Sequence, residues 1–502
     1  MIQVTRSKKV FKNLLSEIVP QIFIMVLGLI KSKFYLDYLG GNTVGLVNLF
    51  SQIIGYLSLV EGGIGQAIIY RLYKPTSEKD YNKVAKIRNG TISIFKKIIL
   101  IIFTLSLAVG FIIPFLIKDN QFATSHIVIN FVLYVLSEII LYTTVFERSI
   151  YVATEKSYKI NRIIKTSLVF KHIFEIVMAI VLQNITVIFT CLIIISLLEN
   201  IIIKIISKKD FPNIPETNDE DRTVLKDVKD LMVHKVAGLV ASNIDIVLIS
   251  KFIGLGKVLI YSTYLMYVNA IMSLTNKISR AIVGTIGNIL IENKKNAYDK
   301  FIKFNGLCFF LMFLIAGPFN MLINGFINLF YANKVATSTI TSLLFTLVLS
   351  YNIIRIPLIT YSEGAGLFKE TKICPIIESI INLSLSIVLV NIYGINGCLL
   401  GTIISLVISE YLIKPRIIYK KLFDNNVSEY YKNHIKFIII LVIQMASCYF
   451  LSGYLCVNNL KLFVLYAAIY GILNLVILIA LYKIMKQDYL FEFINKFKAS
   501  RK

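Results

Sequence analysis

Apolar runs of about twenty residues recur from one end of this chain to the other, and that is the length a helix needs to cross a bilayer. Hydrocarbon offers no partner to a backbone N–H or C=O, so such runs must close their hydrogen bonds within helices or barrels. The runs are continuous and long, unlike the alternating segments of about ten residues that build barrels. They fall at 14–34, 43–70, 98–116, 127–144, 166–182, 185–203, 231–250, 258–274, 304–326, 337–360, 373–390, 399–413, 435–455 and 460–482. The expected class is therefore all-α and polytopic, with about fourteen transmembrane helices. Composition agrees: 56% of the 502 residues are hydrophobic and 16% charged, against about 45–50% and 25% in soluble domains. No polar stretch is long enough for a separate catalytic domain.

The net charge of +24 could suggest nucleic acid, but its placement excludes that partner. Arg71, Lys74, Lys79, Lys83, Lys86 and Arg88 follow the second run, and Arg148, Lys156, Lys159, Arg162 and Lys165 follow the fourth. Lys204, Lys208, Lys209, Lys294, Lys295, Lys414, Arg416, Lys420 and Lys421 fill later even-numbered connections, whereas odd-numbered ones are nearly uncharged. Basic loops stay inside, so both termini are expected in the cytoplasm. The first run holds Glu17 and Pro20, lacks a small-residue cleavage site, and reads as an uncleaved span. Six cysteines and four histidines form neither C-x-x-C nor H-x-x-x-H pairs, so buried thiols are expected and no metal site. No phosphate-binding G-x-x-x-x-G-K-[ST] loop occurs, so no nucleotide-hydrolysing enzyme or cofactor is indicated.

The longest polar linker, 208–230, divides the chain into a six-helix lobe at 1–207, a second at 231–422, and a terminal two-helix pair with a basic tail at 423–502. FYLDYLGGNTVGL from Phe34 and LISKFIGLGKVLIY from Leu248 pair an aromatic-apolar run with a glycine turn at equivalent places, a sign of repeated lobes. At about 100° per residue, Glu17, Gln21, Gly28 and Lys31 share one face of the first helix, with Lys33 opposite. Asn48, Gln52 and Gln66 align on the second, His234 and Asp245 on the seventh, and Ser262, Asn269, Ser273, Asn276 and Arg280 on the eighth. Polar faces on the opening helices of both lobes point to a hydrophilic central cavity, though such stripes can also be helix–helix glue. Other embedded charges are Glu138, Lys171, Glu175, Arg355, Glu378 and Glu410. Lys171 and Glu175, four residues apart, are expected to neutralise each other, and Glu410 with nearby Lys414 is expected to form an interfacial pair. Arg355, two residues before Pro357, suits either a phosphate or the carbonyls that the proline frees.

SLVEGGIGQAIIYRLY (58–73) resembles the acidic-Gly-x-Gly-x-x-Ile-x-x-Arg ending of the second span in bacterial polysaccharide flippases. SNIDIVLISKFIGLGKVLIYSTY (242–264) resembles the junction of the seventh and eighth spans in the same proteins. They are the O-antigen and capsule repeat-unit flippases of the multidrug/oligosaccharidyl-lipid/polysaccharide exporter superfamily. The carry-over is limited to Glu61, Gly63, Gly65 and Arg71 in the first motif and Asp245, Gly254, Tyr261 and Ser262 in the second. The resemblance implies two lobes around an alternately opening cavity and an undecaprenyl-pyrophosphate-linked oligosaccharide as substrate. It implies a bacterial inner membrane and, as partners, membrane lipids and a polysaccharide polymerase. Cavity cations are expected of the family: Lys31 and Arg280 first, then Lys171 and Arg355, beside Asn48, Gln52, Asn269, Ser273 and Asn276. Asp245, Glu17, Glu138 and Glu61 are the expected carboxylates for coupling to Na+ or H+. A peptidoglycan lipid-precursor flippase, a drug/cation antiporter and a non-transporting scaffold are the competing readings.

Overall fold

A computed structural model describes residues 2–58, 64–221, 244–292, 294–423, 425–452 and 459–485, with side chains from residue 20 onward. Side chains at 278–282, 284, 285, 288 and 291–296 lie outside the description. All regular structure among the described residues is helical. Among the described residues, ten helical segments, from Tyr81–Leu116 to Leu460–Ile484, are long and apolar enough to cross a membrane. They coincide with the third, fourth, sixth and eighth to fourteenth expected spans. The chain is a multi-pass membrane protein. The first, second and fifth expected spans are also helical: α1 (Ile2–Leu39), α2 (Gly41–Leu57) with α3 (Ile64–Ser77), and α7 (Ser157–Val181). Of the seventh, residues 231–243 with His234 lie outside the described residues, and α9 (Ile244–Phe252) is its end. Glu61, Gly63, Cys456 and the linker from 222 onward lie outside them too.

The chain forms two compact units, 1–259 and 260–502. In the first, α4 (Tyr81–Ile112), α5 (Thr124–Ile139), α6 (Val145–Ala153) and α8 (Ile185–Asp210) complete the helices already named. Helix starts follow capping chemistry. Asp80 accepts the Lys83 N–H at 3.0 Å, and Asn184 accepts that of Thr186 at 2.9 Å. Helices α1 and α7 pack together, as do α5 and α8. Helices α5 and α6 are one span broken by a 3-10 turn, Ile140–Thr144. Asn200 of α8 inserts there. Its amide donates to the Ile140 carbonyl at 2.5 Å and to Thr143 Oγ1 at 2.9 Å, and its carbonyl accepts from Thr144 at 3.0 Å. A neighbouring side chain thus supplies the partners that an interrupted helix lacks in lipid.

The repeat read from the sequence has a shared geometry. Gly40 and Gly254 close α1 and α9 with φ of +85° and +117°, values open to glycine without a Cβ clash. In each case the next helix begins one residue later, α2 at Gly41 and α10 (Leu255–Glu292) at Leu255. The Leu255 carbonyl then lies against Gly45 of α2, where no Cβ fits. The end of α9 is tied down further: Ser250 Oγ donates to the Leu116 carbonyl at 2.8 Å and Lys251 Nζ to that of Phe115 at 2.7 Å.

In the second unit, α10 is followed by α11 (Lys294–Phe330), α12 (Thr339–Ile354), α13 (Ile356–Gly364), α14 (Phe368–Thr371), α15 (Ile373–Tyr393) and α16 (Ile395–Leu406). A wide π-helical turn, Val407–Ile413, leads into α17 (Lys414–Ile418). The terminal pair, α18 (Val427–Ser452) and α19 (Leu460–Ile484), packs on α11. Gln444 and Asn474 both donate to the Phe313 carbonyl, at 3.0 and 3.1 Å, and Tyr482 donates to that of Gly306 at 3.0 Å. Gly397 and Gly401 of α16 meet Leu389 and Ser386 of α15 so closely that neither site admits a Cβ, the small-residue contact that membrane helices use to approach.

Gly45→Ala forces the Leu255 backbone aside and should cost about 1–3 kcal/mol. Gly28→Ala, on a helix face with nothing within 4 Å, should be neutral or stabilising. Thermal unfolding in detergent checks both, and equal shifts would refute the close approach at Gly45.

Candidate functional site

The first unit holds a cluster of charges inside its helical bundle. Lys31 of α1 sits 3.2 Å from Oε2 of Glu175 on α7, and the Glu175 side chain is 8% exposed. Tyr35, one turn after Lys31, donates to Glu175 Oε1 at 2.9 Å, and His172 Nδ1 lies 3.1 Å from Oε2. Glu199 of α8 is the second centre, with its side chain 3% exposed. It accepts from Arg148 at 3.2 Å, Lys171 at 3.0 Å and Ser167 at 2.7 Å. Glu138 of α5 is exposed and interacts electrostatically with Lys171 and Lys31. Three cations, Lys31, Lys171 and Arg148, thus face three carboxylates, Glu138, Glu175 and Glu199.

Two sequence expectations change here. Lys171 and Glu175 do not neutralise each other: Lys171 pairs with Glu199 and Glu175 with Lys31. The reason is tertiary packing, because α1 and α8 flank α7 and offer each residue a partner of opposite charge on another helix. Glu199 and Arg148 were not among the expected site residues. Glu199 stands four residues before the end of the sixth apolar run, and an in-span carboxylate was the signal for it. Arg148 was read as a loop residue, but α6 carries the helix through it.

The second unit repeats part of this plan. Arg355 stands at the break between α12 and α13, as Arg148 follows the break between α5 and α6. Its charge acts on Glu378 of α15. Glu410 pairs with Lys414 at 2.9 Å, the pair expected of them, and both are buried in the protein.

The expected polar stripes land as follows. Asn269 and Asn276 of α10 are exposed, whereas Thr275 beside them is buried. Ser273 is half-buried and donates to the Ala270 carbonyl at 2.8 Å. Asn48 and Gln52 are half-buried on α2. Asp245 is buried on α9 and interacts electrostatically with Tyr56. The side chains of Glu17 and Arg280 lie outside the described residues.

The sequence matches no protein-family model, and no curated protein matches it. Solved structures do match. The lipid II flippase MurJ, in an inward closed conformation, superposes with a TM-score of 0.68 at 18% identity, over 93% of this chain and 98% of that one. An inward-facing multidrug resistance MATE family transporter of the MOP superfamily gives 0.59 at 11% identity, over 80% and 98%. An outward-facing MATE transporter gives 0.50 at 11% identity, over 82% and 95%. The chain has the fold of these MOP-superfamily transporters. At such identities the likeness fixes the fold alone. The MurJ match takes in more of this chain than either MATE match.

Glu199→Gln should lower stability by about 3–5 kcal/mol, because it leaves two cations facing each other in a buried site. Adding Lys171→Gln should recover part of the loss. Unfolding curves in detergent decide, and additive losses would mean that Glu199 and Lys171 do not interact. For the α10 face, Asn269→Cys and Asn276→Cys in a cysteine-free background should react with a water-soluble maleimide and Thr275→Cys should not. Equal labelling at all three would refute a polar face there.

Proposed function

We propose that the protein is a flippase that moves an undecaprenyl-pyrophosphate-linked oligosaccharide from the cytoplasmic to the outer leaflet, for surface polysaccharide synthesis, by ion-coupled alternating access. On this reading it is a transporter rather than an enzyme and sits in a bacterial inner membrane with both termini cytoplasmic. A polymerase would consume what it delivers. The observation that carries the reading is a cation held inside the bundle of a MOP-type fold. Lys31 is 24% exposed, and a pyrophosphate gains charge-assisted bonds there that it lacks in hydrocarbon. Arg280, Lys171 and Arg355 are the further cations proposed for the headgroup. Asn48, Gln52, Asn269, Ser273 and Asn276 are proposed for the sugar, to which amides and hydroxyls can bond in place of water.

Coupling follows from charge balance. When a phosphate takes Lys31, Glu175 keeps Tyr35 and His172 as neighbours but shares its cation. Uptake of H+ or Na+ restores the balance. Glu175 therefore joins Glu138, Asp245, Glu17 and Glu61 as a proposed coupling carboxylate.

The match to MurJ supports a second reading, in which the cargo is the lipid-linked peptidoglycan precursor. Both cargoes share the polyprenyl pyrophosphate and differ in the sugar. Cells lacking the protein should accumulate the repeat-unit lipid on the cytoplasmic side. Accumulation of the peptidoglycan precursor instead would select the second reading. In proteoliposomes Lys31→Ala and Arg280→Ala should each cut flipping at least about tenfold, as expected for a lost charge-assisted contact, with Lys33→Ala milder. Glu175→Gln should leave flipping indifferent to an imposed ion gradient that drives the wild type. A variant that still follows the gradient would remove Glu175 from the coupling.

A further inference from the structure

The segment that leaves α8, residues 211–221, is strapped across the basic end of the first unit. The Asp221 N–H donates to the Lys86 carbonyl at 3.0 Å, and Arg88 donates to that of Pro215 at 3.2 Å. Asn89 donates to the carbonyls of Thr217 and Asp219. Ion pairs join Lys86 to Asp219 at 2.8 Å and Arg71 to Asp221 at 3.6 Å. The Asp221 backbone also presses on Gly90, where no Cβ fits. Backbone contacts of this kind fix the path of the strap.

Beneath the strap lies a cavity of about 900 Å³, within the range of small-ligand sites. Arg88, Lys204 and Lys208 line it, with the hydroxyls of Ser207 and Thr217 and the amide of Asn218. Phe146, Ile92 and Phe211 give it an apolar wall, and Glu147 and Glu216 are its two acids. Lys204 and Arg88 both act electrostatically on Glu147, and Glu216 is exposed. Three cations against two acids leave the lining net positive. Lys204 directly follows the apolar run 185–203, which puts the cavity at headgroup height. Basic pockets between membrane helices at that height suit the phosphate of an anionic lipid.

We propose that this cavity binds the phosphate of an anionic membrane amphiphile, with Lys204, Lys208 and Arg88 on the phosphate and the apolar wall against the adjoining lipid. The site is separate from Lys31 and does not depend on what the protein transports.

The test uses the full-length protein in detergent, titrated with phosphatidylglycerol or phosphatidylcholine and read by native mass spectrometry. Wild type should retain phosphatidylglycerol in preference. Lys204→Gln with Lys208→Gln should weaken that retention about tenfold or more. Lys79→Gln with Lys83→Gln, which removes two exposed charges outside the cavity lining, should not. Unchanged melting temperatures show that each variant is folded, and Arg88→Gln gives an independent variant of the same site. Competition by inorganic pyrophosphate separates the two sources of the anion: loss of bound phosphatidylglycerol places recognition in the phosphate alone, and no loss requires the lipid as well. Equal retention of both lipids by the wild type, or equal weakening by the Lys79/Lys83 pair, overturns the proposal.

Discussion

A carboxylate in an apolar bundle must be neutralised where it stands, and two of them, Glu175 and Glu199, organise the first unit. Taking an ion out of water costs several kcal/mol even after relaxation. Each therefore has to recruit cations and hydroxyls from other helices. Glu175 draws α1 to α7 through Lys31 and Tyr35. Glu199 draws α6 and α7 to α8 through Arg148, Lys171 and Ser167. In lipid, apolar side chains give no preference for a neighbour over the solvent, so packing rests on van der Waals fit and on polar pairs of this kind. Asn200, one residue after Glu199, supports the same arrangement by satisfying the broken span beside Arg148.

The two units show one solution used twice with different materials. In the first, the broken span is repaired by a side chain from a neighbour, Asn200. In the second, the break comes at Arg355 with Pro357 opening the next helix, and proline has no N–H to satisfy. The carboxylates of the sixth and twelfth spans differ too: Glu199 takes its cations from other helices, whereas Glu410 takes Lys414 from its own. A cation acquired within one helix binds no second helix. The second unit relies on Gly397 and Gly401 for close approach instead.

What the sequence displayed was whatever depends on neighbours along the chain. Apolar run lengths located the helices, glycines at Gly40 and Gly254 marked the turns, and the spacing of Glu410 and Lys414 gave a real pair. Spacing misled at Lys171 and Glu175 for a physical reason. An i, i+4 pair on a helix surface is worth only about 0.2–0.5 kcal/mol. A partner on another helix inside the bundle outweighs that, and its identity depends on which helices pack, which one-dimensional phase does not contain. Arg148 was hidden by the same gap, since a charge after an apolar run reads as a loop until the helix is seen to continue. Along α10, Asn269 and Asn276 are exposed beside buried Thr275, whereas Ser273 of the same stripe is half-buried and bonds to its own helix.

The pairing of Lys31 also changes what a cation in such a bundle can do. An isolated Lys31 would bind a phosphate strongly and release it with equal difficulty. Paired to Glu175, it starts from a satisfied state, so binding a phosphate exchanges one anion for another and gains only the difference. That lowers affinity and favours release, which the proposed flippase would need more than tight binding. The same exchange leaves Glu175 with Tyr35 and His172 as its remaining neighbours. On the proposed function, headgroup binding and ion binding would be two occupancies of one charge balance. A coupling free energy between the two is reciprocal by thermodynamic necessity, so under that proposal an ion gradient across the membrane would bias the phosphate's departure.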